Sequence, residues 1–202
     1  MPRQPSKGGL RAAVDAILKD ENIGRIRVFA QDEARLGLKP ILRRVWSRKG
    51  ERPVIVQRPR YEWLYVYGFV EPTTGELVWL ILPRVHIETF QRALEVFARI
   101  VGANTSNPVA LVIDKAGFHT SGRLVVPEGL HPIFLPGYSP QLQPAERLWP
   151  ILREAIANRL LNTIDELQEV IIKRCNQLSK MKDKIKALTN YAWCNHAISR
   201  SI

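Results

Sequence analysis

The chain has 202 residues, enough for one domain or for one domain with a small appendage. Its hydrophobic fraction of 46% allows a sizeable buried core and argues against an intrinsically disordered protein. Lys and Arg number 30 against 19 Asp and Glu, which gives a formal net charge of +11. This charge favours a polyanionic partner such as nucleic acid, and a basic surface without such a partner is the alternative.

The first part of the chain changes from helical to strand periodicity. Residues 1–9 are rich in Pro, Gly, Lys and Arg and are expected to be loose, whereas residues 10–19 have the apolar spacing of a helix. Residues 25–31 form a β-branched and aromatic run that predicts a strand ending at Asp32. Residues 37–53 are basic and irregular, so we expect either a hairpin or a projecting loop.

The middle of the chain predicts two paired strands, a helix and a buried strand. Strands are expected at 61–70 and 76–82, and the short turn between them favours antiparallel pairing. Residues 86–101 are amphipathic with helical spacing. The run Val109–Ile113 is wholly apolar, which is typical of a central strand covered on both faces, and Asp114 follows it.

The last part predicts one short strand and three helices. The strand is expected at 131–135, and the helices are expected at 144–161, at 164–178 behind the capping box of Thr163 and Glu166, and more weakly at 182–198. Three antiparallel strands followed by parallel additions make a mixed five-stranded sheet. The sequence therefore predicts an α/β fold with flanking helices and C-terminal helices.

Several classes of protein find little support in the residues. Cys175 and Cys194 are far apart, and the four histidines lack zinc-binding spacing. The sequence has no GxxxxGK[ST] nucleotide loop and no GxSxG nucleophile elbow. It begins without a signal-peptide pattern, and its longest apolar run is too short to span a membrane. We expect a soluble, cytoplasmic protein without a membrane partner.

Three acidic residues, distant in sequence, fall at the ends of predicted elements. Asp32 follows the first strand, Asp114 follows the apolar strand, and Glu146 opens the next helix. If the two strands are neighbours, their carboxyl ends lie about 5 Å apart. Carboxylates gathered in this way can bind two divalent cations, which stabilise the attacking and leaving oxygens when a phosphodiester is cleaved.

Each of these residues also has an ordinary structural interpretation. A single Asp after a strand is commonly a turn former or a helix cap, and Glu146 suits the positive end of a helix dipole. Glu33 competes with Asp32, because neighbouring side chains on a strand point to opposite faces. Periodicity does not decide which of the two faces the site.

Several motifs resemble those of one known family. It comprises the bacterial insertion-sequence transposases related to mariner elements, which have a DDE superfamily endonuclease domain, and the likeness runs from about residue 26 to about residue 178. The motifs that carry it are Gln31-Asp-Glu33, Arg44-Val-Trp46 with Gly50 and Pro53, Asp114-Lys-Ala-Gly-Phe-His119 (similar to DNxxxH), and Leu135-Pro-Gly-Tyr-Ser-Pro-Gln-Leu-Gln-Pro-Ala-Glu146 with Arg147-Leu-Trp149 (similar to LPxYSPxLNPxE).

The resemblance implies a ribonuclease H-like fold and a metal-dependent DNA transposase. It implies that Asp32, Asp114 and Glu146 bind two Mg²⁺ or Mn²⁺ ions, that the element ends are hydrolysed, and that the freed 3′-hydroxyl attacks target DNA. Lys115 and Gln143 both stand where the family commonly has Asn. Two alternatives stay open: a catalytically weakened, truncated remnant that only binds DNA, and a structure-specific nuclease such as a junction resolvase or a ribonuclease H.

Double-stranded DNA, as element ends and as target, is the expected partner. His119 is interpreted either as a support for a metal ligand, as a DNA contact, or as a histidine near solvent. Four aromatic residues, Trp63, Tyr65, Tyr67 and Trp149, are expected in the core. The candidate DNA contacts are Arg43, Arg44, Arg48, Lys49, Arg52, Lys115, His119 and Arg147.

The chain is divided here into three predicted segments. Residues 1–25 form a tail or linker remnant, 26–180 the catalytic domain, and 181–202 a C-terminal helical extension. Transposases of this family carry helix-turn-helix modules ahead of the catalytic domain, and residues 1–25 are too few for one. We therefore expect either a separately encoded helix-turn-helix subunit or a truncated copy, with a homodimer as the active form at the bacterial nucleoid.

Overall fold

Five strands form one mixed sheet in the computed structural model, which describes residues 9–20, 26–51, 54, 60–137, 142–191 and 194. The strand order is β3-β2-β1-β4-β5. β1 pairs antiparallel with β2, and β2 with β3, whereas β4 is parallel to both β1 and β5. This topology confirms the predicted mixed sheet. The strands are β1 (Arg27–Gly37), β2 (Trp63–Glu71), β3 (Glu76–Leu82), β4 (Val109–Ile113) and β5 (Leu130–Phe134).

The first strand is longer than predicted, and Asp32 lies inside it rather than at its end. Ala34 and Leu36 continue the buried alternation beyond Asp32, so β1 keeps pairing with β2 as far as Gly37. Its pairing with β4 stops earlier, at Ala30. Beyond this point β1 therefore has a ladder partner on one side only.

Five helices and one short 3₁₀ turn, Pro144–Arg147, complete the described part of the chain. His86 caps α2 by accepting from the Thr89 N–H, and Thr163 caps α4 by accepting from the Glu166 N–H, as the capping box predicts. The helices are α1 (Gly9–Asp20), α2 (Ile87–Val101), α3 (Leu148–Arg153), α4 (Ile164–Ser179) and α5 (Lys182–Thr189).

The helix predicted over 144–161 is wrong in length and in type. The segment opens as the 3₁₀ turn and continues as the short helix α3. Pro150 has no N–H to donate to the Glu146 carbonyl, and Asn158 takes a left-handed φ of 57°. Of the helix predicted over 182–198, α5 confirms the first part and ends at Thr189; Cys194 is again helical, and most of the remaining residues lie outside the described ranges.

Apolar clusters cover both faces of the sheet. On one face, Phe29, Tyr67 and Phe69 pack with α2. On the other face, side chains of α1, α3, α4 and α5 pack against the alternate strand residues, and Val14 and Ile185 are fully buried there. Every residue of β4 is buried, as expected for a strand covered on both faces. No helix in the described ranges is long and apolar enough to cross a membrane.

Residues 38–51, here called the basic loop, contain no helix or strand and are largely exposed, which favours the projecting loop over the hairpin. Trp46, which lies between Arg44 and Arg48 in the sequence of this loop, is fully exposed. The predicted core position of Trp63 is wrong, since it is 43% exposed and stacks against the Arg35 guanidinium. Tyr67 is buried as predicted, and Tyr65 is partly buried.

Candidate functional site

Asp32 and Glu33 point to opposite faces of the sheet. Asp32 shares the face of Val28, Ala30 and Ala34, against which the 3₁₀ turn and α3 pack. Glu33 shares the α2 face. The structure thus resolves the ambiguity left by periodicity, because only Asp32 lies on the side of the sheet that carries Glu146.

Asp32 lies in β1, and Asp114 directly follows β4, the parallel strand beside it. The register of this pair runs from Arg27 opposite Val109 to Ala30 opposite Val112. Each of the two aspartates lies two residues beyond the last pair of this register, Ala30 and Val112. The half-exposed Asp114 carboxylate and the nearly buried Asp32 carboxylate therefore border the same end of β4.

The Asp32 carboxylate is hydrogen-bonded by a buried tryptophan. The indole Nε1–H of Trp149 donates to Asp32 Oδ2 over 2.6 Å. Gly68 lies opposite Asp32 on β2, and a Cβ added there would come within 3.0 Å of the Trp149 and Trp79 rings. The missing side chain at position 68 therefore leaves the space that the Trp149 ring occupies. Trp149 is buried as expected, but its hydrogen bond was not foreseen.

Glu146 lies on the 3₁₀ turn and is exposed. Three residues before it, the buried Gln143 side chain donates from Nε2 to the Gln31 carbonyl over 2.9 Å. Three residues after it, Trp149 donates to Asp32. These two hydrogen bonds flank Glu146 and fasten its turn to β1. Gln143, which departs from the family's Asn, thus has a defined partner.

Burial and neighbouring negative charge both act on Asp32. Burial raises the pKa of its carboxyl from 3.8 to about 7, partly offset by the hydrogen bond from Trp149, and the charges of Glu33 and Glu146 raise it further. This carboxylate is therefore costly to ionise in the absence of a cation.

A chain of hydrogen bonds joins Asp114 to the α2 face through His119. The Nδ1 of His119 lies 2.6 Å from Asp114 Oδ1, and the Nε2 of His119 lies 3.1 Å from Glu33 Oε1. The same Glu33 oxygen accepts from the Gln31 amide at 2.8 Å. Asp114 Oδ1 also accepts the Ala116 N–H. The side chain of His119 is 1% exposed, so the interpretation as a histidine near solvent is wrong and a DNA contact by it is disfavoured.

His119 carries a positive charge at neutral pH. Burial by itself would lower its pKa, but the hydrogen bonds and charges of Asp114 and Glu33 outweigh burial and raise the pKa to about 9. The cation donates from both ring nitrogens, one to each carboxylate. In turn, the hydrogen bond from His119 lowers the pKa of the Asp114 carboxyl. Asp114 is therefore ionised and oriented.

The three carboxylates have different partners in the structure. Among the described residues, no three His, Cys, Asp or Glu side chains are arranged to hold a metal ion. Asp114 pairs with His119, Asp32 is hydrogen-bonded to Trp149, and Glu146 is exposed on the 3₁₀ turn.

The basic candidates lie in different surroundings. Those of the basic loop are exposed, as is Lys115, whereas Arg52 lies outside the described residues. The Nε–H of Arg147, next to Glu146, donates to the Tyr191 hydroxyl at 2.9 Å. The exposed cations of the loop are Arg43, Arg44, Arg48 and Lys49.

A support for the basic loop, the partly buried Asn158, was missed by sequence reasoning. The Asn158 side chain both accepts from the Arg43 N–H and donates to the Arg43 carbonyl, at 2.8 and 3.0 Å, and its own N–H donates to the Ile41 carbonyl. Arg60, on the returning limb, donates to the Asn162 carbonyl. No local pattern marks this anchor, because its partners are more than a hundred residues away.

A family model and a related protein both match most of this chain. The model for DDE superfamily endonucleases matches residues 27–168. An uncharacterized protein of Sinorhizobium fredii (strain NBRC 101917 / NGR234), y4pE/y4sA, is 30% identical over 138 residues, which are 67% of this chain and 99% of that protein.

Solved structures share the fold at low sequence identity. A pre-cleavage Mos1 transpososome has a TM-score of 0.55 at 13% identity, covering 93% of this chain and 64% of that one. The mariner Mos1 paired end complex with Mg has a TM-score of 0.54 at 13% identity, covering 100% and 66%. This chain therefore spans slightly less than two thirds of those Mos1 chains, with the same ribonuclease H-like fold. Since the family model covers most of its length, the chain belongs to the DDE superfamily endonucleases.

Proposed function

We propose that this chain is the catalytic domain of a transposase that hydrolyses DNA phosphodiester bonds with divalent metal ions and then joins the freed 3′-hydroxyl to target DNA. The observation that carries the proposal is the position of Asp32 and Asp114, each two residues beyond the last pair of the parallel strands β1 and β4, with Glu146 on a turn fastened to β1. The Mos1 complexes of similar fold are described as transpososomes and paired end complexes.

The acidic residues have the donor chemistry that Mg²⁺ or Mn²⁺ requires. All three supply carboxylate oxygens, which are the preferred ligands of these ions. Burial and the charges of Glu33 and Glu146 raise the pKa of Asp32, so a cation would relieve an unfavourable concentration of negative charge. Asp32, Asp114 and Glu146 would hold two such ions, and the ions would stabilise the attacking and leaving oxygens.

The remaining residues orient these ligands. The His119 cation holds Asp114 from the α2 side, and Glu33 holds His119. Gln143 and Trp149 set the position of the turn that carries Glu146. Protein groups therefore fix two of the three carboxylates before DNA arrives, while the third stays accessible at the surface.

The basic loop supports a DNA partner. Its exposed Arg and Lys side chains follow the end of β1, the strand that carries Asp32, and such cations contact phosphate without reading sequence. Asn158 anchors the loop at its base, which reduces the conformational entropy lost when DNA binds. DNA ends and target DNA are the proposed substrates. A homodimer and a separate helix-turn-helix subunit are the proposed partners.

Nicking of supercoiled plasmid tests this function. The chain should cleave in Mg²⁺ or Mn²⁺ and not in EDTA. Asp32→Asn, Asp114→Asn and Glu146→Gln should each reduce cleavage by at least about a hundredfold while DNA retention in a filter assay is unchanged. Asp165→Asn, an exposed carboxylate in the first turn of α4, is the matched control. Full cleavage by Asp114→Asn would refute the assignment.

A DNA-binding remnant without catalytic activity is the second candidate. Two observations favour it: Lys115 occupies the family's usual Asn position, and the described carboxylates are not gathered at one point. The two candidates differ in one result. DNA retention without cleavage in either metal would support the remnant, whereas metal-dependent nicking would exclude it.

A further inference from the structure

Trp149 lies between the element that carries Glu146 and the strand that carries Asp32. Its side chain is buried, and its indole N–H donates to Asp32 Oδ2 at 2.6 Å. We infer that Trp149 is a positioning residue, which fixes the Asp32 carboxylate and couples it to the Glu146 turn. This inference rests on the proposed function, since it assigns Trp149 a role in preparing that site.

The surroundings leave the indole little freedom to move. One edge of the ring lies over Gly68, where a Cβ would come within 3.0 Å, and the Trp79 ring packs beside it at 6.3 Å between centroids. A rigid bicyclic ring in so narrow a space presents its N–H in one direction. Because Gly68 is paired with Asp32 across the strands, the indole N–H points at the Asp32 carboxylate.

A second hydrogen bond attaches the same turn to β1. Gln143 binds the Gln31 carbonyl, and Trp149 binds the side chain of the next residue along β1. Glu146 lies midway between these attachments. Loss of the Trp149 bond would leave the turn attached at one end only. The Asp32 carboxylate would then rotate more widely, and the Glu146 turn would move relative to it. Removal of such support for a metal ligand commonly weakens metal binding about ten- to a hundredfold.

Trp79 provides a matched control for the hydrogen bond. It belongs to the same aromatic pair, and its Nε1 is buried with no hydrogen-bond partner in the described part of the chain. Trp79→Phe and Trp149→Phe therefore remove similar ring volume from one cluster. Only the second removes an N–H that binds a carboxylate.

The first readout needs neither metal nor activity. In a ¹H–¹⁵N spectrum of the full chain, assigned by triple-resonance experiments, the Trp149 indole N–H should lie downfield and exchange slowly. Asp32→Asn should shift the Trp149 resonance strongly and the Trp79 resonance little. An unchanged Trp149 resonance would overturn the inference even if Trp149→Phe failed to fold.

The second readout is the Mg²⁺ dependence of plasmid nicking and of Mg²⁺ binding in calorimetry. Trp149→Phe should raise the half-maximal Mg²⁺ concentration about tenfold or more, with unchanged DNA retention, whereas Trp79→Phe should raise it less than about twofold. Equal Mg²⁺ dependence in the two variants would overturn the inference. If the wild type neither binds Mg²⁺ nor cleaves, the proposed function fails, and the indole resonance still decides whether Trp149 positions Asp32.

Discussion

Replacement of His119 by Gln should remove a pH-dependent part of the folding stability. The rise in the pKa of His119 from 6.5 to about 9 corresponds to roughly 3 kcal/mol, at about 1.4 kcal/mol per pKa unit. The folded-state pKa is the higher one, so this stabilisation is fully present below pH 6.5 and is lost as the pH rises through about 9. Gln can still form a hydrogen bond, but it carries no charge.

Urea unfolding in EDTA at about pH 6 and about pH 9.5 measures this contribution. The wild type should lose roughly 3 kcal/mol more than His119→Gln between these two values. Asp32 adds a loss of the same sign between pH 3.8 and about 7, which the wild type and the variant share. Glu33→Gln removes one of the two charges that face His119 and should give an intermediate slope. Parallel stability curves for the wild type and His119→Gln would refute the buried cation.

Four further substitutions test features outside this network. Gly75→Ala should lower the free energy of unfolding by at least about 2 kcal/mol, because the φ of Gly75 is +75° and a Cβ would lie 2.0 Å from the Lys182 carbonyl oxygen. Gly50→Ala is the control, because Gly50 also has a positive φ but a Cβ there would meet no atom within 4 Å. It should lower the free energy of unfolding by about 1 kcal/mol in the same urea titration. Asn158→Gly permits the left-handed backbone but removes both side-chain bonds to the basic loop, so the loop should be cut faster by trypsin while the melting temperature changes little; equal cutting would show that Asn158 does not anchor it. Lys115→Asn should preserve or raise metal-dependent nicking, and a collapse would show that the lysine has a positive role.

The sheet was predictable because its strands are marked by strong local patterns. Val109–Ile113 is apolar throughout, and the turn that ends at Gly75 joins β2 to β3, which pair as antiparallel neighbours. The predicted end of β1 was wrong because Asp32 interrupts an alternation that Ala34 and Leu36 then resume. A charged residue inside a strand resembles a strand end when only one sequence is available.

The candidate site was predictable only in part. Their positions at the ends of predicted elements and the motif resemblance singled out the three acidic residues, and in the structure Asp32 lies in β1 while Asp114 directly follows the neighbouring β4. The face of Asp32, the burial of His119 and the indole donor of Trp149 depend on packing between distant segments, with separations of 86 and 117 residues for two of the bonds. A buried tryptophan N–H needs an acceptor, which is a general rule, but the identity of that acceptor is a tertiary property.

The continuous strand backbone of β1 from Asp32 to Gly37 fixes the distance between the acidic residue and the start of the basic loop. Five residues of extended chain measure about 17 Å, which is close to five base-pair steps of B-form DNA. In the proposed function, a phosphate bound where the basic loop leaves the sheet would therefore lie about half a helical turn from a phosphate bound at the carboxylates. Because a hydrogen-bonded strand stretches little, any spacing between the anchoring contact and the cut should be constant from one substrate to the next.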